Sequence, residues 1–426
     1  MKHHMLASTP PLGWNSWDCY GATVREEEVR GNAEYMAKYL KEHGWEYIVV
    51  DIQWYEAGAN SSIYRPFVPL EMDDYSRLIP AANRFPSAEN GKGFKPLADD
   101  VHGLGLKFGI HIMRGIPRQA VHANTPILGT EVRARDIAHP NSICPWNTDM
   151  YGIDASKEGA QEYYNSLFEL YAEWGVDFVK VDDIGASRLY YFHKDEIELI
   201  RKAIDHCGRE MVLSLSPGPA PLEFADTLIE NANMWRMTDD FWDHWDLLYG
   251  MFERCEKWSE YVGEGHWPDC DMLPLGHIGI RSVDGGGGDR WTRFTKDEQI
   301  TLLTLWSIFR SPLMFGGDLR DNDEWTLSLL TNPDVLKMHK DSHSNQLVSR
   351  EEDRVVWSAK DLEGNTYVAL FNLSNETATV KTTLNQVGVT GVKQARELWT
   401  GQDLGEITDR MEQMLPPHGA VLVKLY

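Results

Sequence analysis

The sequence predicts an α/β protein: a (β/α)8 barrel of the TIM type, followed by a small C-terminal antiparallel β-sandwich. Three observations carry this. Eight short β-like runs alternate with amphipathic stretches over roughly the first 340 residues. Those runs are apolar with little polar alternation, as expected of strands covered on both faces. After Lys340 the helical pattern stops, and short β-like runs follow with turn residues between them. The expected division is therefore 1–340 for the barrel and 341–426 for the β domain.

The eight strands are expected at 12–17, 47–51, 107–113, 177–183, 211–216, 234–240, 268–273 and 312–318. Helices with readable ends lie between them. Thr23 and Glu26 have capping-box spacing; Val29, Ala33, Met36, Ala37 and Leu40 then share a face, and Gly44 is a stop. Ser156 is expected to open a second helix, with Ala160, Tyr163, Leu167, Leu170 and Trp174 on its apolar face and Gly175 at its end. Ile197, Ile200, Ile204 and Cys207 mark a third, closed by Gly208. Thr295 and Glu298 form a capping box for a strongly apolar helix that ends near Arg310. A doubly wound open sheet is the competing layout, but the first strand turn lacks GxGxxG. The glycines 285–288 read as a loop; no Lys-Ser/Thr follows that would make them a phosphate cradle. Beyond Lys340, β-like runs at 355–358, 367–372, 378–382, 395–399 and 420–425 alternate with turns at 363–365, 373–375 and 416–419.

Composition narrows the function. The chain has 426 residues, 42% apolar and 25% charged, an ordinary soluble balance with material for a large core. No apolar run approaches the ~18 residues of a membrane span. The N-terminal stretch has no apolar signal-peptide core, so secretion by that route is not expected. A formal net charge of −24 repels phosphate backbones and argues against nucleic acid as a partner. Five scattered cysteines without CxxC point to a reducing, cytoplasmic compartment and away from a zinc site. Sixteen Trp and 17 Tyr exceed ordinary packing needs, and aromatic faces suit sugars.

Active residues of such a barrel sit at the C-terminal strand ends. Here those ends carry Asp51, Asp182, Asp183, Asp239, Asp240, Asp269, Asp271 and Asp318, around Lys180 and Arg236. Any one of these Asp residues reads as well as a cap for the next helix. The set reads otherwise, because Lys180 and Asp182 share a strand face with apolar Val181 between them. Two carboxylates across a cavity are the equipment of glycoside hydrolysis. A metal-dependent barrel lyase is a rival use of an acidic rim, but Lys180 and Arg236 oppose a divalent ion and HExxH is absent. His111 stands alone at its strand end and reads as a hydrogen-bonded pocket residue. No metal and no cofactor is expected.

The segments Pro11-Leu12-Gly13-Trp14-Asn15-Ser16-Trp17, Asp51 to Trp54, Phe178 to Asp182, Trp235-Arg236 with Asp240, Asp269 to Leu273, Ser311-Pro312-Leu313 with Gly316 to Arg320, and Pro417-His418-Gly419 together resemble glycoside hydrolase family 27, the α-galactosidases and α-N-acetylgalactosaminidases. The resemblance runs nearly end to end. It implies a retaining exo-glycosidase acting on terminal galacto-configured sugars, with Asp182 as nucleophile and Asp240 as general acid/base. It further implies that Lys180 binds the 3- and 4-hydroxyls, that Arg236 holds the 2-position, that Trp17 faces the apolar side of the ring, and that Asp51 grips a hydroxyl near C4 or C6. His111 and Asp271 join the sugar-facing set, while Asp183 and Asp239 are supporting or capping residues.

Departures from the family pattern bear on the substrate. Ile52 replaces the second Asp of the pair that normally holds the 4- and 6-hydroxyls. That disfavours galactose and suits β-L-arabinopyranose, which is galactose without its hydroxymethyl group. Ser216 occupies a position that is Glu in α-galactosidases and Ser in α-N-acetylgalactosaminidases, a lean toward the N-acetyl type. Ile184 stands where many relatives carry a cysteine, so the disulfide anchored there is absent. The segment 117–151 is longer than usual and is expected to form an active-site wall or a subunit contact, which allows a homo-oligomer. A non-catalytic sugar-binding barrel is the alternative from another class; the presence of both Asp182 and Asp240 speaks against it.

Overall fold

The computed structural model describes residues 2–60, 63–186 and 191–426. Eight parallel strands come first: β1 (Leu12–Asn15), β2 (Tyr47–Val50), β3 (Lys107–Met113), β4 (Phe178–Asp182), β5 (Val212–Leu215), β6 (Met234–Arg236), β7 (Trp267–Asp269) and β8 (Leu313–Phe315). Their order is β7-β6-β5-β4-β3-β2-β1-β8. Leu273, just past β7, closes the ring: it pairs in parallel with Phe315, its N–H reaches Met314 O at 2.8 Å and its carbonyl accepts from Gly316 at 3.0 Å. The layout is thus a barrel, and the open doubly wound sheet is set aside.

Helices return the chain between strands: α1 (Glu26–Tyr39), α2 (Lys95–Gly103), α3 (Ala160–Trp174), α4 (Lys194–His206), α5 (Ala225–Asn231), α6 (Trp245–Trp258), α7 (Lys296–Phe309), α8 (Glu324–Leu330) and α9 (Pro333–Asp341). The capping box of α7 is formed as expected, Glu298 N–H on Thr295 Oγ1 and Thr295 N–H on Glu298 Oε2. Two expected helix starts move. The α1 start is held by Glu28, which accepts from Arg25 N–H, while the Thr23 hydroxyl donates to Tyr20 O. Ser156 bonds to Asp154 in a turn, and α3 begins four residues later at Ala160, after Gly159 in the left-handed region. Several expected strands also end early. Trp17 opens a short helix, Trp17–Tyr20, and the chain bends away after Arg236.

Eight antiparallel strands follow α9: β9 (His343–Glu351), β10 (Arg354–Lys360), β11 (Thr366–Asn372), β12 (Ala378–Thr383), β13 (Lys393–Glu397), β14 (Asp403–Ile407), β15 (Arg410–Leu415) and β16 (Ala420–Leu425). Six form a sheet in the order β9-β10-β11-β16-β13-β14, and β12 pairs with β15 across from it. Alternation decides which side each residue buries. Val356, Val368, Leu370 and Val423 face the interior of the sandwich. Val355, Trp357, Ala369, Phe371 and Leu422 face the other way and join the barrel core.

Candidate active site

The β3–β4 register sets His111 opposite Lys180 and Met113 opposite Asp182. Lys180 and Asp182 project from one strand face to the barrel mouth. There a cavity of about 750 Å³ opens, with Trp17, Asp51, Ile52, Lys180, Asp182, Arg236, Asp240 and Asp271 among its lining residues. Eight of the ten expected site residues are therefore brought together.

The LGWNSW segment fixes one side. A Cβ on Gly13 would lie 2.7 Å from Tyr47, so only glycine lets β1 and β2 approach this closely. Ser16 Oγ accepts from Asp51 N–H at 2.9 Å, and Asn15 Nδ2 donates to Asp51 Oδ2 at 2.8 Å. Lys180 Nζ meets the same Oδ2 at 2.9 Å. Burial opposes ionisation of Asp51, but Lys180, His111 and Asn15 overcome it and lower its pKa. Ile52, next along, is buried in the cavity wall and offers no polar atom to it beyond the backbone.

Asp182 Oδ2 accepts from His111 Nε2 at 2.9 Å and its Oδ1 from Asp183 N–H at 2.7 Å. Burial would raise its pKa; the His111 bond, the Lys180 charge and the Asp183 N–H hold it well below the ordinary carboxylate range. The surroundings of Asp240 differ. It is exposed at the cavity mouth, 56% of its side chain accessible, with Arg236 Nη2 at 3.0 Å. Arg236 Nη1 meets Asp271 at 2.8 Å, so one buried guanidinium spans two carboxylates.

Two expected sugar contacts fall elsewhere. His111 is fully buried beneath Asp182 and outside the cavity lining, where its ring can orient the carboxylate but not reach a ligand. Ser216 is buried too, its backbone tied to Val181, Ile184 and Gly185, and Pro217, Gly218 and Pro219 line the cavity in its place. Of the other rim acids, Asp183 turns away to Arg114 at 3.0 Å, and Asp318 binds Arg320, Tyr20 and Asn32. For these two the capping or structural role prevails. Asp239 lines the cavity while accepting from Asp240 N–H.

Sequence reasoning missed Asp18, Tyr64, Trp146, Trp242 and Asp284, which also line the cavity. Tyr64 stacks on Trp17 at 6.1 Å between ring centres and meets Trp146 at 5.5 Å. Trp146 comes from the long 117–151 segment, so that segment contributes this residue to the cavity wall. The glycine loop passes close by, with Asp284 and Gly285 at the rim. Among the described residues no group of three or more His, Cys, Asp or Glu is arranged to hold a metal ion.

Residues 153–341 match the family model described as alpha galactosidase A, and residues 351–425 match the alpha galactosidase C-terminal beta sandwich domain. A solved β-L-arabinopyranosidase of family GH27 from Geobacillus stearothermophilus is 70% identical, with a TM-score of 0.99 over 100% of this chain and 98% of that one. A variant of that enzyme, in complex with arabinose, matches equally at TM-score 0.99 and 70% identity, over 100% of this chain and 99% of that one. An α-galactosidase from Coffea arabica is 28% identical over 427 residues, spanning 99% of this chain and 94% of its own length.

Proposed function

This chain belongs to glycoside hydrolase family 27, and within that family we propose that it is a retaining exo-glycosidase releasing terminal β-L-arabinopyranose. The observation that carries the substrate is Ile52 in the cavity wall beside Asp51. A sugar hydroxyl facing Ile52 would lose its acceptor, at about 1–3 kcal/mol. Arabinopyranose has no hydroxymethyl group to suffer that loss. The 70% identity to an arabinopyranosidase supports the same substrate. An α-D-galactoside is the second reading, favoured by the α-galactosidase relatives. The N-acetyl reading loses Ser216, which is absent from the cavity lining, but keeps the support of a 63% identical Bacillus halodurans structure described as a putative α-N-acetylgalactosaminidase.

In the proposed reaction Asp182 attacks the anomeric carbon while Asp240 protonates the departing oxygen. Water then enters, deprotonated by the same Asp240, and displaces Asp182 with a second inversion. The two environments support these roles. Asp182 is kept ionised by His111, Lys180 and the Asp183 N–H. Asp240 stands at the open mouth, where the leaving group projects into solvent. Lys180 and Asp51 form an ion pair at 2.9 Å that presents a donor and an acceptor to adjacent hydroxyls. Trp17 supplies an apolar face for the ring.

No helix among the described residues is long and apolar enough to cross a membrane. All five cysteines are free, with the Cys255 and Cys270 sulfurs in hydrogen-bond contact at 3.7 Å and not disulfide-linked, which supports a cytoplasmic location as part of the proposal.

Hydrolysis of p-nitrophenyl β-L-arabinopyranoside followed by proton NMR tests the reaction. The β-anomer of arabinopyranose should appear first and only later mutarotate. If the α-anomer appears first, the double displacement is wrong.

A further inference from the structure

Asp18 lies on the short helix Trp17–Tyr20 and lines the cavity with only 3% of the residue exposed. Its Oδ2 is sealed from solvent and has no hydrogen-bond partner. The cavity's cations are committed elsewhere: Lys180 pairs with Asp51, and Arg236 with Asp271 and Asp240. The carboxyl is nonetheless a fitted part of the site. A Cβ on Gly316 would lie 2.0 Å from Asp18 Oδ2, so the carboxyl fills a notch that only glycine leaves open.

A buried carboxylate without a donor is costly, whereas the neutral acid is not. Neighbouring Asp271 has what Asp18 lacks: Arg236 at 2.8 Å and the Phe241 N–H at 2.7 Å. Of these two acids the proton therefore belongs on Asp18. Burial is the main reason its carboxyl resists ionising; the charges of Asp271, Asp240 and Asp51 add to this, and Lys180 works against it.

We propose that Asp18 serves as a neutral carboxylic acid that, through Oδ1 and not the sealed Oδ2, donates a hydrogen bond to a hydroxyl oxygen of the bound sugar, making it a sugar-recognition residue. This rests on the reading of the cavity as the sugar site. Each sugar hydroxyl both donates and accepts, while ionised Asp51 and Asp182 can only accept. On the Arg236 side one N–H of each terminal nitrogen already serves a carboxylate. A protonated Asp18 adds a donor there.

The test compares Asp18→Asn and Asp18→Ala on p-nitrophenyl β-L-arabinopyranoside, with L-arabinose binding measured by calorimetry. An amide keeps the donor and the shape, so Asp18→Asn should stay within about 3-fold of wild type in kcat/KM. Asp18→Ala should lose about 10- to 100-fold, mainly through KM, and bind arabinose correspondingly more weakly. Equal losses in both variants would mean an ionised acceptor and overturn the proposal, as would full activity in Asp18→Ala. Should the Ala variant fail to fold, the infrared difference between wild type and Asp18→Asn at pH 7 decides. A protonated-carboxyl C=O band supports the proposal, and a carboxylate band refutes it. Wild-type turnover on the arabinopyranoside separately checks the reading of the cavity, so the two failures are distinguishable.

Discussion

A nucleophilic carboxylate has to stay ionised where water is scarce. Asp182, the proposed nucleophile, meets this with three partners, of which His111 is the one a substitution can remove cleanly. His111 touches no cavity space, so it acts as a positioning residue for Asp182. Because the folded pKa of Asp182 lies below the unfolded value of ~3.9, its ionisation contributes stability above that pH, which is lost as pH falls through the folded value. Replacing His111 by Phe removes the donor and raises that folded pKa. The acid limb of the kcat/KM–pH profile should then move to higher pH, with Tm at neutral pH changing much less than the profile. An unmoved limb would show that His111 does not tune the nucleophile. Specificity is also a single-residue matter. In the proposed reading Lys180 and Asp51 meet hydroxyls that galactose and arabinopyranose share, so neither residue separates them. Ile52 can, because the sugars differ only by a hydroxymethyl group.

At the scale of elements, much of the molecule was legible because strand burial is written in composition. The run Phe178-Val179-Lys180-Val181-Asp182 is apolar on the outward face and polar only where it meets the cavity, so both strand and site could be read from it. The strands β9, β14 and β15 were missed because they are partly exposed and rich in charged or polar residues. The helix start at Ser156 was misplaced because a turn serine and an N-cap serine look alike in sequence. Within the site, most residues at strand ends were found, Asp18 excepted, and those from excursions were not. Tyr64, Trp146 and Asp284 reach the cavity only through tertiary folding; the one signal available was aromatic content in an unusually long segment. That segment pairs Ile116–Pro117 and Ala138–Ile143 with Met150–Ile153 in a small three-stranded sheet beside the mouth. Trp146 then backs Tyr64, which backs Trp17. Loss of one such aromatic contact costs about 0.5–1.5 kcal/mol. Trp146→Ala should therefore raise KM about 2- to 10-fold while kcat changes less. An unchanged KM would show that the segment is no wall of the sugar site.

Across the whole molecule, α7 joins the two halves. It is buried nearly all round, and its residues reach the C-terminal strands. Thr301 Oγ1 donates to His418 O at 2.6 Å, Trp399 Nε1 donates to Thr304 at 2.8 Å, and His418 bonds to Glu298 at 2.7 Å. The His418 ring also stacks on Trp245 of α6 at 3.6 Å. The Pro417-His418-Gly419 tail thereby fixes α6 and α7, and α6 follows directly from the loop that carries Asp240. The C-terminal sheets in this way buttress the side of the barrel that presents Asp240, the proposed general acid. The chain as a whole is a family 27 glycosidase, and the claim that gives it a substrate is the preference for arabinopyranose over galactose. The most direct measurement is the ratio of kcat/KM values for p-nitrophenyl β-L-arabinopyranoside and p-nitrophenyl α-D-galactopyranoside, in wild type and in Ile52→Asp. Wild type should favour the arabinopyranoside, and the substitution should move the ratio about 10- to 150-fold toward the galactoside, the worth of one charge-assisted hydrogen bond. A wild type that strongly prefers the galactoside, or a ratio that Ile52→Asp leaves in place, would contradict the account.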